Sequence, residues 1–200
     1  MKRTVFLLAL VVSFFALKAQ YASYDHHDIS MSYGLFTSDQ FMNVESTMLN
    51  EQFDDKRYVR DNFSSTGGVY LSYKHINHLV DFWWGFSMGY EQNKSEIYYL
   101  GQYAGELKRT FYTLALESQF RYVNFGVVQV YSGIGLGLSY GQESLSATDY
   151  HLEESSGDIF RLAYQLNVAG VRIGKKIAGF AEFGYGYKGI VNVGLSVQIY

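Results

Sequence analysis

The chain has 200 residues, 16 basic and 19 acidic side chains, a formal net charge of −3, no Cys and no Pro. Without Cys the protein can hold no disulfide framework, no Cys-ligated metal, no thiol nucleophile and no lipid-modified N-terminal Cys. The 19 Tyr, 15 Phe and 20 Gly favour strands over helices, and the absence of Pro, which cannot donate to a ladder, suits continuous sheet.

Residues 1–19 have the three parts of a secretory signal peptide. Lys2 and Arg3 form a basic start, residues 5–17 are apolar, and Ala19 is a small residue at the expected cleavage site. A membrane-anchor helix is the alternative, but the run is shorter than the roughly 20 apolar residues that such a helix needs. Cleavage would leave 13 basic against 19 acidic side chains, a balance that argues against a nucleic-acid partner.

After the signal, apolar residues recur at every second position in about eight segments, and this period of two predicts strands. The residues on the apolar faces are, in chain order, Ile29, Met31, Tyr33 and Leu35; Val69, Leu71 and Tyr73; Phe82, Trp84, Phe86, Met88 and Tyr90; Tyr112, Leu114, Leu116 and Phe120; Val128, Val130, Ser132, Ile134, Leu136, Leu138 and Tyr140; Phe160, Leu162, Tyr164, Leu166 and Val168; Ala181, Phe183, Tyr185 and Tyr187; and Val191, Val193, Leu195, Val197 and Ile199. Most segments are near the 9 to 11 residues that a tilted strand needs to cross a bilayer.

The connections between these strands alternate between long and short, which is typical of a membrane barrel with long external loops and short periplasmic turns. The predicted long connections cover roughly residues 37–65, 93–106 and 142–157, and the short ones lie near residues 75–79, 121–124 and 174–178. Lys188-Gly189-Ile190 is predicted to be a tight hairpin in place of a fourth long loop.

The first long loop is predicted to contain a short amphipathic helix over residues 38–49. Thr37 and Gln40 fit a capping box, and Phe41, Val44 and Met48 follow helical spacing. Such a helix could pack on the barrel rim or cover its mouth.

Residue identities decide which face meets solvent. The non-apolar faces carry Gly, Ser and a few ionisable residues, which suit the inside of a narrow barrel, and the apolar faces carry almost no charge. We therefore predict apolar side chains outside, a polar network inside and aromatic girdles at both membrane boundaries; the alternative is a soluble sandwich or lipocalin-like barrel. The predicted internal network is Glu91, Arg109, Glu117, Gln129, Arg161, Gln165 and Glu182, and the predicted girdles are Tyr73, Phe82, Tyr90, Tyr112, Phe120, Tyr140 and Tyr187.

A search for chemistry finds no cofactor or catalytic pattern. His151 is the one histidine expected in an external loop, near Ser144, Ser146, Asp149, Ser155 and Ser156, but a solvated loop residue explains it as well. His75, His78 and Asp81 could be drawn as a metal site, yet their spacing in an extended turn fixes no common direction. The Gly133-x-Gly135-x-Gly137 run lies inside a strand with no helix to receive a phosphate. We expect no cofactor and no metal.

The sequence resembles small outer-membrane β-barrel proteins of Bacteroidota, akin to the OmpA and OmpX transmembrane barrels. The resemblance rests on the signal ending Lys18-Ala19-Gln20, on the opening strand Ile29 to Phe36 with its helical loop, and most on residues 171–200, VRIGKKIAGFAEFGYGYKGIVNVGLSVQIY. It implies an all-β, closed antiparallel up-and-down transmembrane barrel domain over residues 20–200, located in the bacterial outer membrane with both termini in the periplasm. It implies no shared reaction.

An eight-stranded barrel is barely wide enough for its own inward side chains, so we expect no open pore. The first hypothesis is a structural or surface-interaction protein whose external loops, chiefly residues 37–65 and 142–157, meet an extracellular ligand or protein. The alternatives are a carrier of small hydrophobic ligands and a lipid A-modifying enzyme, since a palmitoyltransferase and a deacylase exist on such barrels. The other expected partners are outer-membrane lipid and the barrel-insertion machinery, and the protein is expected to be a monomer.

Overall fold

A computed structural model describes residues 26–37, 58–77, 81–148 and 154–199. The predicted signal peptide (1–19) and the predicted loop helix (38–49) lie outside these residues. All the regular elements among the described residues are strands: β1 His26–Leu35, β2 Tyr58–Asn77, β3 Phe82–Tyr99, β4 Gln102–Asn124, β5 Val128–Ala147, β6 Ser155–Gly174, β7 Ile177–Gly186 and β8 Val191–Ile199.

The eight strands pair in chain order and close into a barrel, because β1 pairs with both β2 and β8. Every pairing is antiparallel. This confirms the predicted all-β, closed up-and-down architecture of eight strands. No helix among the described residues has the length and apolar character needed to cross a bilayer.

The strands are of two lengths, which the sequence analysis did not anticipate. β1, β7 and β8 have 10, 10 and 9 residues, whereas β2 to β6 have between 18 and 23. The prediction of 9 to 11 residues is therefore wrong for five strands. These five continue past the end of the short ones and form a projecting sheet on one side of the barrel.

The three predicted long connections are wrong in extent for the same reason. Residues 93–106 are almost entirely strand, since only Leu100 and Gly101 separate β3 from β4, and both have positive φ (50° and 82°) as a tight hairpin requires. Likewise, much of residues 142–157 belongs to β5 and β6, and β2 begins at Tyr58. Both faces of the projecting sheet include polar residues, so these segments lack the alternation that identified the strands elsewhere.

At the opposite end the connections are short, and we call this the short-turn end. β4 runs through Asn124, so the predicted turn at 121–124 is wrong and the turn lies at 125–127; the next lies at 175–176. The first strand begins here and the last strand ends here, because His27 pairs with Ile199.

Side chains alternate between the two sides of the barrel wall. Large apolar residues on the outside are strongly exposed, for example Leu116 at 71% and Leu162 at 63%. Between them, Glu117, Gln119, Ser139 and Gln165 are almost fully buried inside. A polar interior within an apolar exterior is the arrangement of a membrane barrel and the reverse of a soluble one.

Three inward aromatic rings each lie on a glycine of the neighbouring strand. Tyr70 pairs with Gly89, Phe111 with Gly141, and Tyr131 with Gly170. A Cβ at any of these glycines would come within 2.4 Å of the facing ring. The glycines therefore make room for rings that fill the lumen, as in the aromatic rescue of strand glycines.

A row of small residues faces the rings of Tyr70 and Tyr187 inside the lumen. Ala115, Gly137 and Ala163 are direct partners on β4, β5 and β6. Ala115 and Ala163 form a buried cluster with Tyr70 and Tyr187. At this level the lumen is filled by aromatic rings packed against a wall of small side chains.

Two register shifts produce a bulge on the outward side of β6. Ser132 lies opposite both Val168 and Ala169, and Val168 is also the extra residue in the pairing with β7. The Ser132 hydroxyl donates to the Val168 carbonyl at 2.7 Å. A side-chain hydroxyl thus satisfies a backbone carbonyl at the bulge, on a face where most side chains are apolar.

We expect Ser132→Ala to lower the free energy of unfolding by about 1–3 kcal/mol, since the Val168 carbonyl would lose its partner in an apolar surrounding. Ser118→Ala is the matched control: Ser118 lines the same outer depression, and its hydroxyl makes no hydrogen bond with another described residue. Equilibrium unfolding in detergent micelles measures both. Equal stability of the two variants would contradict the role given to Ser132.

Candidate functional site

The centre of the lumen holds one carboxylate between two lysines. Glu117 Oε1 lies 2.5 Å from Lys188 Nζ, and Glu117 Oε2 lies 3.4 Å from Lys74 Nζ. Tyr187 also donates its hydroxyl to Glu117 Oε1 at 2.5 Å. All four residues are at most 5% exposed, so the carboxylate meets both ammonium groups out of contact with bulk water.

A second buried carboxylate, Glu182, is held by neutral donors. Gln119 Nε2 and the Tyr131 hydroxyl donate to Oε1 at 3.1 and 3.0 Å, and Asn192 Nδ2 donates to Oε2 at 2.8 Å. These donors come from β4, β5 and β8, so the carboxylate on β7 ties together strands on several sides of the barrel.

Further ion pairs lie toward both ends of the lumen. Arg172 Nε is 3.6 Å from Asp28 Oδ2, and Arg121 places Nε and Nη2 at 3.0 and 2.7 Å from Asp81 Oδ1 toward the short-turn end. Toward the projecting end, Arg109 Nε lies 2.5 Å from Glu143 Oε1. The interior is a stack of paired charges joined by amides and hydroxyls.

The residues predicted for the internal network all lie on the inward face of the barrel wall. Glu91, Arg109, Glu117, Gln129, Gln165 and Glu182 are each at most 5% exposed. Arg161 is half-buried, with its guanidinium carbon 3.9 Å from the centre of the Phe111 ring. Glu91 accepts hydrogen bonds from Thr37 and from Asn93 Nδ2, and Gln165 Nε2 donates to Asn167 Oδ1 at 2.9 Å.

Sequence reasoning missed the two lysines that hold Glu117. Lys74 follows Ser72 on the inward face of β2, so alternation alone could have identified it. Lys188 could not be found in this way, because it belongs to the hairpin between β7 and β8. Its side chain is nonetheless 1% exposed and reaches the lumen centre.

Most of the predicted girdle residues lie on the outward face at two levels. Tyr90, Tyr112 and Tyr140 form one cross-strand row that Phe160 continues, and Phe82 and Phe120 are partners in another. Tyr73 is half-exposed and contacts Phe86 with ring centroids 5.5 Å apart.

Tyr187 is a correction, since the structure places it inside the barrel and not in a girdle. β7 ends at Gly186, whose φ is 143°, and the chain turns at once: Gly189 N donates to the Gly186 carbonyl at 3.0 Å. The alternation that predicted an outward Tyr187 stops with the strand. Its hydroxyl instead meets Glu117, and its carbonyl accepts a hydrogen bond from Tyr70.

The projecting sheet begins where the short strands end. β1 pairs with β2 only as far as Gly68, and β7 pairs with β6 only from Gln165 onward. From Tyr90 to Tyr99, β3 rises about 30 Å along its own direction at about 3.3 Å per residue. Two bulges interrupt the β2 edge, between Asp61 and Ser64 and between Ser65 and Gly68, and such bulges discourage pairing with a further strand.

The tip of this sheet carries exposed apolar and aromatic side chains. Val59, Tyr98 and Tyr103 are cross-strand neighbours in one outward row, and Leu100 stands in the hairpin between the two tyrosines. Val59 and Leu100 are 62% and 64% exposed, and Tyr103 is 45% exposed. We call these four residues the tip patch.

An acidic row lies directly beneath the tip patch. Asp61, Glu96 and Glu106 are successive cross-strand partners on the outward face. Asn62 Nδ2 and the Tyr98 hydroxyl donate to Glu96 Oε2 at 2.6 and 2.8 Å, and these bonds hold the pKa of Glu96 below its usual value. Glu96 therefore keeps its negative charge at neutral pH.

The residues considered for catalysis and metal binding are not brought together among the described residues. Asp81 is paired with Arg121, and His78 lies outside those residues, as do Asp149 and His151. Ser144 and Ser156 are cross-strand partners in the projecting sheet. No group of three or more His, Asp or Glu side chains within the described ranges could hold a metal ion.

Comparison with known proteins gives a likeness of structure only. No family model matches the chain, and no curated protein matches it. Two solved structures of Ail, the attachment invasion locus protein of Yersinia pestis, one of them in complex with the heparin analogue sucrose octasulfate, are 17% identical to this chain. Each match covers 87% of this chain and 94% or 93% of the Ail chain, with a TM-score of 0.42.

Proposed function

We propose that this protein is a bacterial outer-membrane barrel that acts in surface interaction through its projecting sheet. The apolar exterior between two aromatic rows supports a membrane location. In this proposal residues 1–19 are a cleaved signal peptide and the barrel-insertion machinery assembles the chain. The short-turn end and the termini face the periplasm, and the projecting sheet stands outside the cell.

Fractionation tests the location and closure together. The protein should be found with the outer membrane and migrate faster in unheated than in heated electrophoresis samples. A Cys introduced at Ser144 should react with an impermeant maleimide on intact cells, whereas one at Lys175 should react only after the outer membrane is opened. A protein recovered in the soluble periplasm without detergent would contradict the proposal.

The tip patch is the observation that supports an interaction role. It is apolar, yet it lies well beyond the outer aromatic row, where lipid does not cover it. Exposed aromatic side chains on a rigid sheet are typical of binding surfaces, because they contribute a large contact area at little entropic cost. A purely structural barrel would not need them there.

The acidic row beneath the tip indicates the chemistry of the partner. A basic peptide or protein could place arginine side chains on the tyrosine rings and against Asp61 and Glu96 at once, whereas Glu106 is already paired with Lys94 at 3.0 Å. An anionic partner would be repelled by Asp61 and Glu96, which lie nearer the tip than Lys94 and Lys108. We therefore propose a cationic protein surface as the ligand class.

Replacing Tyr98 and Tyr103 together by serine is expected to weaken binding to an arginine-rich peptide by at least about thirtyfold, which corresponds to about 2 kcal/mol. The measurement is biolayer interferometry with the protein in lipid nanodiscs. This change leaves the net charge untouched, so non-specific attraction between the peptide and an acidic protein would survive it.

The matched control is Gln142→Ala with Ser144→Ala, on the outward face of β5 away from the tip, and it should bind like the parent protein. Binding should also weaken as salt is raised, since the contacting charges are exposed. Unchanged peptide binding by the tyrosine variant, or preference for heparin over the peptide, would overturn the assignment.

A further inference from the structure

Two histidines face one another across the first strand pair at the short-turn end. His27 of β1 and His75 of β2 are direct cross-strand partners. Their ring centroids are 5.4 Å apart, with the planes inclined at 50°. His27 is exposed and His75 is half-buried, so a small ion could reach the pair from solvent.

The spacing suits one metal ion held between the two rings. An ion bound by two imidazole nitrogens, each at about 2.1 Å and at a near-tetrahedral angle, separates the ring centroids by on the order of 5 Å. The observed separation is close to this value. The register between β1 and β2 produces this separation, because residues opposite each other in an antiparallel pair lie close enough for their side chains to meet.

A neighbouring hydrogen bond prepares His27 for this role. His27 Nδ1 lies 2.7 Å from the Tyr73 hydroxyl, and the two rings are stacked. When Nδ1 carries the proton and donates it to the tyrosine oxygen, the lone pair of Nε2 is left for a ligand. Histidines that bind metals are commonly oriented through their second nitrogen in this way. The Trp84 ring lies beside the His75 ring, with the ring centroids 5.7 Å apart, and restricts its position.

We propose that His27 and His75 form a two-histidine chelate for a divalent transition metal ion of the Zn²⁺, Ni²⁺ or Cu²⁺ class, with water in the remaining coordination positions. Imidazole nitrogen selects these ions over Mg²⁺ and Ca²⁺, which prefer oxygen. The bound ion would link β1 to β2 beside the seam where β1 closes the barrel on β8. It would stabilise the folded barrel because the unfolded chain does not hold the pair together.

The test is calorimetric titration of the protein, prepared without a histidine tag and held in nanodiscs, with Ni²⁺ and Cu²⁺. One ion should bind per chain, and Mg²⁺ should not bind. Bound Cu²⁺ should quench the tryptophan fluorescence of the parent protein, and this quenching should be reduced in Trp84→Phe. His27→Gln and His75→Gln should each weaken binding by at least about tenfold, and Tyr73→Phe by about tenfold, as for loss of a supporting hydrogen bond.

His26→Gln and His78→Gln are the matched controls and should bind like the parent protein. Heat-modifiable mobility checks that every variant is folded, and the thermal midpoint should rise with Ni²⁺ in the parent but not in His75→Gln. Binding that survives in His75→Gln, or that is lost in His26→Gln or His78→Gln, would overturn the assignment, as would the absence of any saturable binding.

Discussion

Glu117→Gln is expected to destabilise the barrel by about 3–5 kcal/mol, because it removes the nearest counter-charge of two buried ammonium groups. Glutamine keeps the shape of the side chain and can still accept from Tyr187. The loss of stability therefore measures the effect of removing the charge and not a change in packing. Equilibrium urea unfolding in lipid vesicles, followed by tryptophan fluorescence, measures it.

Glu106→Gln is the matched control, because it makes the same substitution in an ion pair on the same strand. Glu106 Oε1 lies 3.0 Å from Lys94 Nζ, with both side chains at least 40% exposed, so its loss should cost less than about 1 kcal/mol. Combining Glu117→Gln with Lys188→Met should restore part of the stability, since the Lys188 charge is then removed together with its counter-charge, while Lys74 keeps the charges of Asp28 and Glu182 nearby. Similar costs for Glu117→Gln and Glu106→Gln would show that the buried cluster is not held by charge.

Gly137→Val is expected to destabilise the barrel by about 3 kcal/mol or to prevent its assembly. A Cβ at Gly137 would lie 2.1 Å from the Leu114 carbonyl oxygen and 2.4 Å from Ala115 Cα. Both are backbone atoms of the neighbouring strand, so no side chain can move aside to relieve the contact. Unfolding in vesicles and the folded fraction in unheated electrophoresis are the measurements.

Gly135→Ala and Gly179→Val separate this steric effect from a general need for glycine. A Cβ at Gly135 would meet Tyr187 at 3.0 Å and the Gln165 Cβ at 3.4 Å, and we expect a cost below that of Gly137→Val. Gly179 faces outward with no atom within 4 Å of an added Cβ. Its replacement should be neutral or stabilising because valine favours strands. Equal losses at all three positions would contradict the account of the small-residue row.

The filled lumen also bears on the alternative functions. A carrier needs space for its ligand, and at the level of Tyr70 and Tyr187 the interior is occupied by rings packed against Ala115 and Ala163. Full retention of the fold in Gly137→Val would mean that the interior can accept added volume, and would favour the carrier. The enzyme alternative, with His151 as its candidate base, stays a prediction to be tested by loss of a lipid A modification in His151→Ala.

The sequence alone determined the architecture and the direction in which most side chains point. Alternation with a period of two places Glu117 and Glu182 inside and Leu116 and Phe183 outside, because successive residues of a strand must face opposite sides. Small residues at positions such as Gly137 indicated a narrow interior for the same local reason. These conclusions need only the geometry of one strand.

Only the tertiary structure decided what depends on the partner strand. The alternation of side chains ends where strand pairing ends. Tyr187 and Lys188 therefore turn inward from the hairpin, although the period of two in the sequence predicted an outward Tyr187. The outward face of the projecting sheet is mostly polar, and its inward face is apolar only near the tip, at Ile97, Leu107 and Leu145. Its strands were therefore not distinguished from loops. The meeting of His27 with His75 follows from the register between β1 and β2, which is set by hydrogen bonding along the whole pair and not by any residue near either histidine.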